Sequence, residues 1–271
     1  MNENVEYLKI AQLEPFPNHP FKVEADDDLN ILIQSIKDHG VTSPILVWEY
    51  ENRQYIVLSG HRRATASEML SFDDERFAEI PCIIYRGITL EEATIIMVDE
   101  NARREKLLPS EKAWAYRMKL EAMKRRAGRP SKDENCATML HHFEKARTRE
   151  VIGEARGESG EQVRLYIRLT YLIQDLLYYV DNGKLGFRAG TQLSYLSEDE
   201  QNAVLQKIRE THKFPTLRQA KLLKDASQAS ELDAATLHRI LTEVTFDDRV
   251  SFRVQPAQRQ QLEEMSANTQ L

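Results

Sequence analysis

Tyr55-Ile56-Val57-Leu58-Ser59-Gly60-His61-Arg62-Arg63 decides the fold. Tyr55 to Leu58 form an unbroken apolar run that reads as a strand. Gly60 then breaks the run, and His61–Leu70 reads as a helix. A glycine at that junction lets the backbone turn tightly and approach a ligand. The N–H groups at a helix start attract an anion, and two adjacent arginines add forked donors suited to phosphate. About forty residues on stands Glu100-Asn101-Ala102-Arg103-Arg104. Its carboxylate and amide are hard oxygen ligands for Mg²⁺. A third element, Leu107-Leu108-Pro109-Ser110-Glu111-Lys112-Ala113-Trp114-Ala115-Tyr116, follows directly. In this order the three predict a nucleoside triphosphate–Mg²⁺ site and not a protease or redox site.

The flanking sequence builds a small mixed domain around that turn. Tyr7–Ile10 reads as a strand. Leu29, Leu32, Ile33 and Ile36 share one helical face, and Gly40 stops it. Pro44–Trp48 and Gln54–Leu58 read as strands joined by a polar turn, and Ile80–Tyr85 as a further strand. Thr89 with Glu92 makes a capping box before Ala93–Arg103. After Pro109 the strand signals almost vanish. Pro109 suits the first turn of a helix running to about Arg126. The stretch 127–135 reads as a linker, and helices follow to about Val244, two of them opening at Ser197/Glu200 and Thr216/Gln219. Val250–Val254 alternates like a short strand before a Gln-rich tail.

Composition narrows the function. The chain has 271 residues, enough for two small domains, and no apolar run approaches the ~20 residues of a membrane helix. The acidic start, Met1–Glu6, is unlike a signal peptide, and two cysteines, Cys82 and Cys136, without metal-ligand spacing predict a reduced, cytoplasmic setting. Net charge is −6, yet Arg103 to Arg149 holds 14 Lys/Arg against 6 Asp/Glu. That basic middle reads either as a phosphate-contacting face or as a solvated helix with a basic loop.

Arg149–Arg168 fits a helix-turn-helix frame. Its first helix is Arg149–Arg156, with Ile152 inward and Gly153 at the tight crossing. Gly157 takes the turn, where a left-handed backbone favours glycine. Val163, Tyr166 and Ile167 face the core of the second helix, leaving Ser159, Gln162, Arg164 and Arg168 outward to read DNA. Glu158 and Glu161 oppose that reading, because carboxylates repel phosphates. An ordinary helical hairpin satisfies the same pattern.

From about Leu8 to Tyr195 the sequence resembles the ParB family of chromosome and plasmid partition proteins. Ser35-Ile36-Lys37-Asp38-His39-Gly40-Val41-Thr42-Ser43-Pro44 is similar to the family's S-I-x-x-x-G-x-x-x-P segment, and Gly60–Arg63 to its G-E-R-R box. Glu100–Arg104 is similar to its E-N-x-x-R box, and Leu107–Ala113 to the L-x-P-x-E-x-A run. The resemblance implies an α+β protein: a small ParB/sulfiredoxin-like nucleotide-binding domain (1–108), an all-α helix-turn-helix domain (109–230) and a short C-terminal helix/strand extension (231–271). It implies a CTP-dependent clamp that reads a palindromic DNA site as a homodimer, beside a ParA-type ATPase, on the nucleoid or a plasmid. The nucleotide contacts carried over are Lys22, Ser59, Gly60, His61, Arg62, Arg63, Asn101 and Arg104. Glu100 and Asn101 carry over as Mg²⁺ ligands, and Glu100 also as the residue that orients water for slow CTP hydrolysis.

Three departures accompany that resemblance. His61 stands where the box has glutamate, and a neutral imidazole cannot supply that carboxylate. Lys22 stands where the family commonly has Pro-Arg, keeping charge and losing the fork. The first ~20 residues, where a partner ATPase would dock, are acidic rather than basic. The alternatives are a ParB-like transcriptional or plasmid-maintenance regulator without a working nucleotide switch, and an enzyme on the same scaffold. A sulfiredoxin-type reductase needs a nucleophilic cysteine by the loop. In a kinase variant Glu100 would activate a hydroxyl.

Overall fold

The computed structural model describes residues 4–21, 23, 25–51, 54–102, 107–126, 148–154 and 156–243. Five strands form one mixed sheet: β1 (Val5–Lys9), β2 (Leu13–Pro15), β3 (Ile45–Glu49), β4 (Tyr55–Ser59) and β5 (Glu79–Tyr85). Their spatial order is β1-β5-β3-β4-β2. β1 runs antiparallel to β5, β5 parallel to β3, β3 antiparallel to β4, and β4 parallel to β2. The three-residue β2 is absent from the sequence reading because Leu13-Glu14-Pro15 is too short and polar to carry a period.

β4 shows why the apolar run is continuous. Successive side chains on a strand point to opposite faces. Ile56 and Leu58 enter one core with Phe16, Phe21, Trp48 and Met97. Tyr55 and Val57 enter the other with Leu8, Ile45, Val47 and Cys82. Both faces are covered by helices, α1 (Asp27–His39) and α2 (His61–Ser71) on one side, α3 (Leu90–Ala102) and α4 (Pro109–Arg126) on the other. Each fully buried Leu or Val contributes ~1.5–3 kcal/mol. α1 ends where the sequence says it should, at Gly40 with φ +72°. The Thr89/Glu92 box forms at the start of α3, each partner bonding the other's backbone N–H.

The second core is helical. A short helix spans 148–154 (α5), then come α6 (Gly160–Leu169), α7 (Gln174–Asp181), α8 (Phe187–Leu193), α9 (Glu198–Thr211), α10 (Leu217–Gln228) and α11 (Ala234–Glu243). Leu169, Leu176, Leu185, Leu193, Val204 and Leu223 are its deepest residues. The capping boxes Ser197/Glu200 and Thr216/Gln219 open α9 and α10. α11 falls inside the stretch read as an extension, yet Leu237 and Ile240 pack into this core. The linker at 127–135 and the strand at Val250–Val254 lie outside the described residues.

α4 belongs to both halves. Its Ala115 lies in the sheet core and its Ala113 in the helical core. Its first turn is held from the helical side: Ser110 donates from N and Oγ to Asp181, at 2.9 and 2.6 Å. One turn on, Lys112 Nζ and Tyr116 Oη donate to the two carboxylate oxygens of Glu158, at 2.7 and 2.8 Å. Burial, then the bond to Glu158, pushes the Tyr116 phenol above its usual range, so it stays a donor. From the sheet side, Lys119 pairs with Asp99 of α3. Glu158 is thus a packed structural acid, which removes the objection that it would repel phosphate.

Replacing Glu158 with Ala strands the Lys112 ammonium and the Tyr116 hydroxyl. Breaking a buried pair costs ~3–5 kcal/mol. The Lys112 and Glu158 side chains keep 16% exposure each, so the expected loss is the lower part of that range. Urea unfolding measures it; a loss no larger than an ordinary surface change, ~0.5 kcal/mol, contradicts this account of α4.

Candidate functional site

Gly60 turns the chain from β4 into α2 with φ +96°. A Cβ there would lie 2.5 Å from Cγ2 of Ile45, so the turn is pressed against β3 and only glycine fits. Gly60 is also the N-cap of α2, so no side-chain cap bonds the N–H groups of the helix start, and the first turn holds no acid. First-turn N–H groups have no partner within a helix, and the dipole adds positive potential there. An eleven-residue helix with this start is suited to an anion.

The two arginines behind the turn brace it. Arg62 makes a forked pair with Asp26, at 2.6 and 3.0 Å. Asp26 also caps α1, accepting from Leu29 N at 2.8 Å. The Arg62 guanidinium first, and the Leu29 N–H second, hold the Asp26 carboxyl down at about 2. Arg63 donates from Nη1 to the carbonyls of Ser43 and Pro44, the latter at 2.8 Å. The sequence gives these arginines to phosphate; in the structure they tie α2 to the start of α1 and to the entry of β3. His61 is buried, its ring 3.8 Å from that of His19, whose Nδ1 lies 2.7 Å from the Phe21 carbonyl. The 16–21 segment therefore folds over the start of α2. Ser59, the last residue of β4, is half-buried beside it.

Asn101 brings the second motif to the same place. It is buried and donates from Nδ2 to the carbonyls of Leu58, at 3.1 Å, and Met97, at 2.8 Å. The C-terminal end of α3 is thereby fastened to β4 two residues before Gly60. Both bonds use the amide nitrogen, so they fix the direction of the Asn101 Oδ1, the atom expected to meet Mg²⁺. Glu100, half-buried, remains the carboxylate at that end of α3. Among the described residues no three His, Cys, Asp or Glu side chains converge as a metal cage. Lys22, Arg103 and Arg104 lie outside the described residues. A cleft of 630 Å³ opens beside His19, between Phe16 and Asn18 of the covering segment, Leu90 and Thr94 of α3, and Trp114 of α4. That volume is in the range of small-molecule sites.

The helix-turn-helix frame is present, with shifted details. α5 covers 148–154 rather than Arg149–Arg156. A Cβ on Gly153 would lie 2.1 Å from the Glu158 carbonyl, and Gly157 has φ +65°, as the tight crossing and turn require. Arg156 lies in the turn and donates to the carbonyl of Ala102, placing a cation on the C-terminal end of α3. Ser159 caps α6, accepting from Gln162 N at 3.2 Å. Val163 is fully buried, with Tyr166 and Ile167 packed beside it. Arg164 pairs with Glu161 at 2.7 and 2.8 Å and donates to the Tyr195 hydroxyl at 3.2 Å. Arg168 donates to Oγ and the carbonyl of Ser194. Gln162 is half-buried.

Residues 1–102 match the family model described as the ParB N-terminal domain. Over those residues the chain is similar to ParB N-terminal domains. A nucleoid occlusion protein of Listeria monocytogenes is 29% identical over 211 residues, 78% of this chain and 64% of that protein. The chain thus spans less than two thirds of that relative. A probable chromosome-partitioning protein ParB of Helicobacter pylori is 38% identical over 117 residues, 42% of this chain and 37% of that protein. C-terminally truncated ParB of Caulobacter crescentus has been solved with the centromeric parS site and with CTP-gamma-S. The first aligns at TM-score 0.46 and 19% identity, covering 81% of this chain and 98% of that one. The second aligns at 0.33 and 22%, covering 76% and 99%.

The Asp26–Arg62 pair escaped the sequence reading, although three aspartates before an apolar-periodic helix signal an N-cap. Its folded pKa of about 2 lies below the ordinary 3.8. The stabilisation is complete above the ordinary value and is lost as pH falls through the folded one. The gap in urea midpoint between wild type and Asp26→Asn therefore narrows from about pH 4 to about pH 2. A gap that stays constant over that window contradicts the pairing.

Proposed function

We propose that this chain is a ParB-like DNA-binding protein whose sheet domain binds CTP and whose helix-turn-helix reads DNA. The observation that carries this is the uncapped start of α2 at Gly60, with the Glu100–Asn101 end of α3 beside it. The triphosphate lies on the α2 N–H groups, and the base and sugar extend toward the cleft by His19. The remaining N–H groups of Arg63 serve the phosphates, and Lys22 and Arg104 are the further phosphate contacts that the resemblance implies. Glu100 and the Asn101 Oδ1 would hold Mg²⁺, which would offset the phosphate charge. Glu100 also orients the water in slow hydrolysis.

On the DNA side, Ser159, Gln162, Arg164 and Arg168 lie on or next to α6, whose start enters the major groove. The Caulobacter protein whose fold was compared binds parS, and the Listeria and Helicobacter relatives are named for nucleoid occlusion and chromosome partition. A palindromic site read by a homodimer, association with the nucleoid or a plasmid, and a ParA-type ATPase partner complete this reading.

One observation favours a second reading, a regulator that binds DNA without a nucleotide switch. Arg62 and Arg63 are already engaged by Asp26, Ser43 and Pro44, and His61 supplies no carboxylate. A cysteine-based enzyme is disfavoured: burial pushes the Cys82 thiol up to about 12, so no thiolate forms near neutral pH.

Calorimetry with CTP, ATP, GTP and UTP plus Mg²⁺, on wild type and Arg63→Ala, tests the proposal. The expected outcome is CTP binding that Arg63→Ala weakens ~10–100-fold, the ~1.5–3 kcal/mol of charged hydrogen bonds. No nucleotide binding together with intact duplex binding establishes the second reading. ATP selectivity returns the site to phosphotransfer chemistry.

A further inference from the structure

Tyr195, half-buried in the turn between α8 and α9, gathers three cations. The Arg168 guanidinium lies over its ring at 3.8 Å, and Lys224 Nζ over the same ring at 4.7 Å. Arg164 reaches the hydroxyl at 3.2 Å. The ring attracts cations through its quadrupole. It does not neutralise them. Charges held against one ring lie within about a Debye length of each other at 0.1 M salt, so their repulsion is not screened away.

Only Arg164 has a carboxylate, Glu161. Among the described residues neither Arg168 nor Lys224 forms an ion pair; Arg168 is held by neutral Ser194 instead. Lys224 ends a row on α10: Arg218, Lys221 and Lys224 follow at three-residue spacing, and Arg218 and Lys221 are exposed. Asp225, the one acid of α10, pairs with none of them. Residues three apart are neighbours on a helix surface, ~4.5 Å apart along the axis. A fixed line of unneutralised cations calls for a line of anions.

We propose that the Tyr195 cluster and the Arg218–Lys221–Lys224 row are a backbone-contact surface for duplex DNA, extending the DNA face of α6 onto α10. Tyr195 is the joint: it fixes the last turn of α6 against α10, so the two helices meet one duplex in a set register. The duplex backbone fits better than a single phosphate, because DNA carries a charge every ~1.7 Å of axis and the cations are strung out rather than converging. Contacts of this kind position a protein on DNA and carry no sequence information.

This rests on the DNA-binding reading above, and one titration separates their failures. A labelled random-sequence duplex and labelled duplexes of several fixed sequences are titrated by anisotropy over a series of salt concentrations. The proteins are full-length wild type, Lys224→Gln and Lys221→Gln/Lys224→Gln, each checked for folding by circular dichroism. Each lost phosphate contact flattens the slope of log K against log salt by about 0.9, so the double variant flattens it by about 1.8. Affinity falls equally for all sequences. Wild-type binding with an unchanged slope in both variants overturns this surface and leaves α6 as the reader. A loss confined to one sequence overturns it too, by placing Lys224 at a base edge. Failure of wild type to bind any duplex overturns both readings.

Discussion

The carboxylate of Glu158 is the contact on which the arrangement depends. By accepting from Lys112 and Tyr116 it fixes the turn of the helix-turn-helix onto α4. α4 in turn is fixed to α3 by Lys119 and Asp99. Arg156 closes the circuit, reaching from the same turn to the Ala102 carbonyl, one residue beyond Asn101. Asn101 holds β4 just before the Gly60 turn. Among the described residues a chain of polar contacts therefore runs from the Gly60 turn to α6.

Much of this was legible in the sequence, for physical reasons. Gly60 and Gly153 could be read because a Cβ at either would clash with a neighbour, and Gly157 because its positive φ favours glycine. Thr89/Glu92, Ser197/Glu200 and Thr216/Gln219 were legible because a capping box is local. Partners distant in sequence were not. Asp26 and Arg62 are 36 residues apart, and Glu158 lies 46 from Lys112. Arg62, Arg63 and Asn101 fit both a ligand-binding and a bracing pattern, and spacing cannot separate the two. Glu158 looked hostile to DNA because its cation sits on another helix.

Under the proposed function, a nucleotide would meet the α2 start at Gly60. The helix start is built in advance, held by a glycine that no other residue can replace. The arginines are engaged, so a triphosphate either shares them or draws them from Asp26 and the Ser43–Pro44 carbonyls. In the second case Asp26 keeps its cap on Leu29 N and loses its cation partner.

Coupling between the two halves is the central claim, and linkage tests it directly. Binding at one site changes the other only if nucleotide favours one arrangement of the α3–α4 connection, and the effect is then reciprocal. The measurement is duplex affinity with and without saturating CTP–Mg²⁺, at fixed salt. The account predicts a change of ~5–150-fold, the usual range of allosteric coupling. Two ligands that both bind, each with an affinity indifferent to the other, would contradict it.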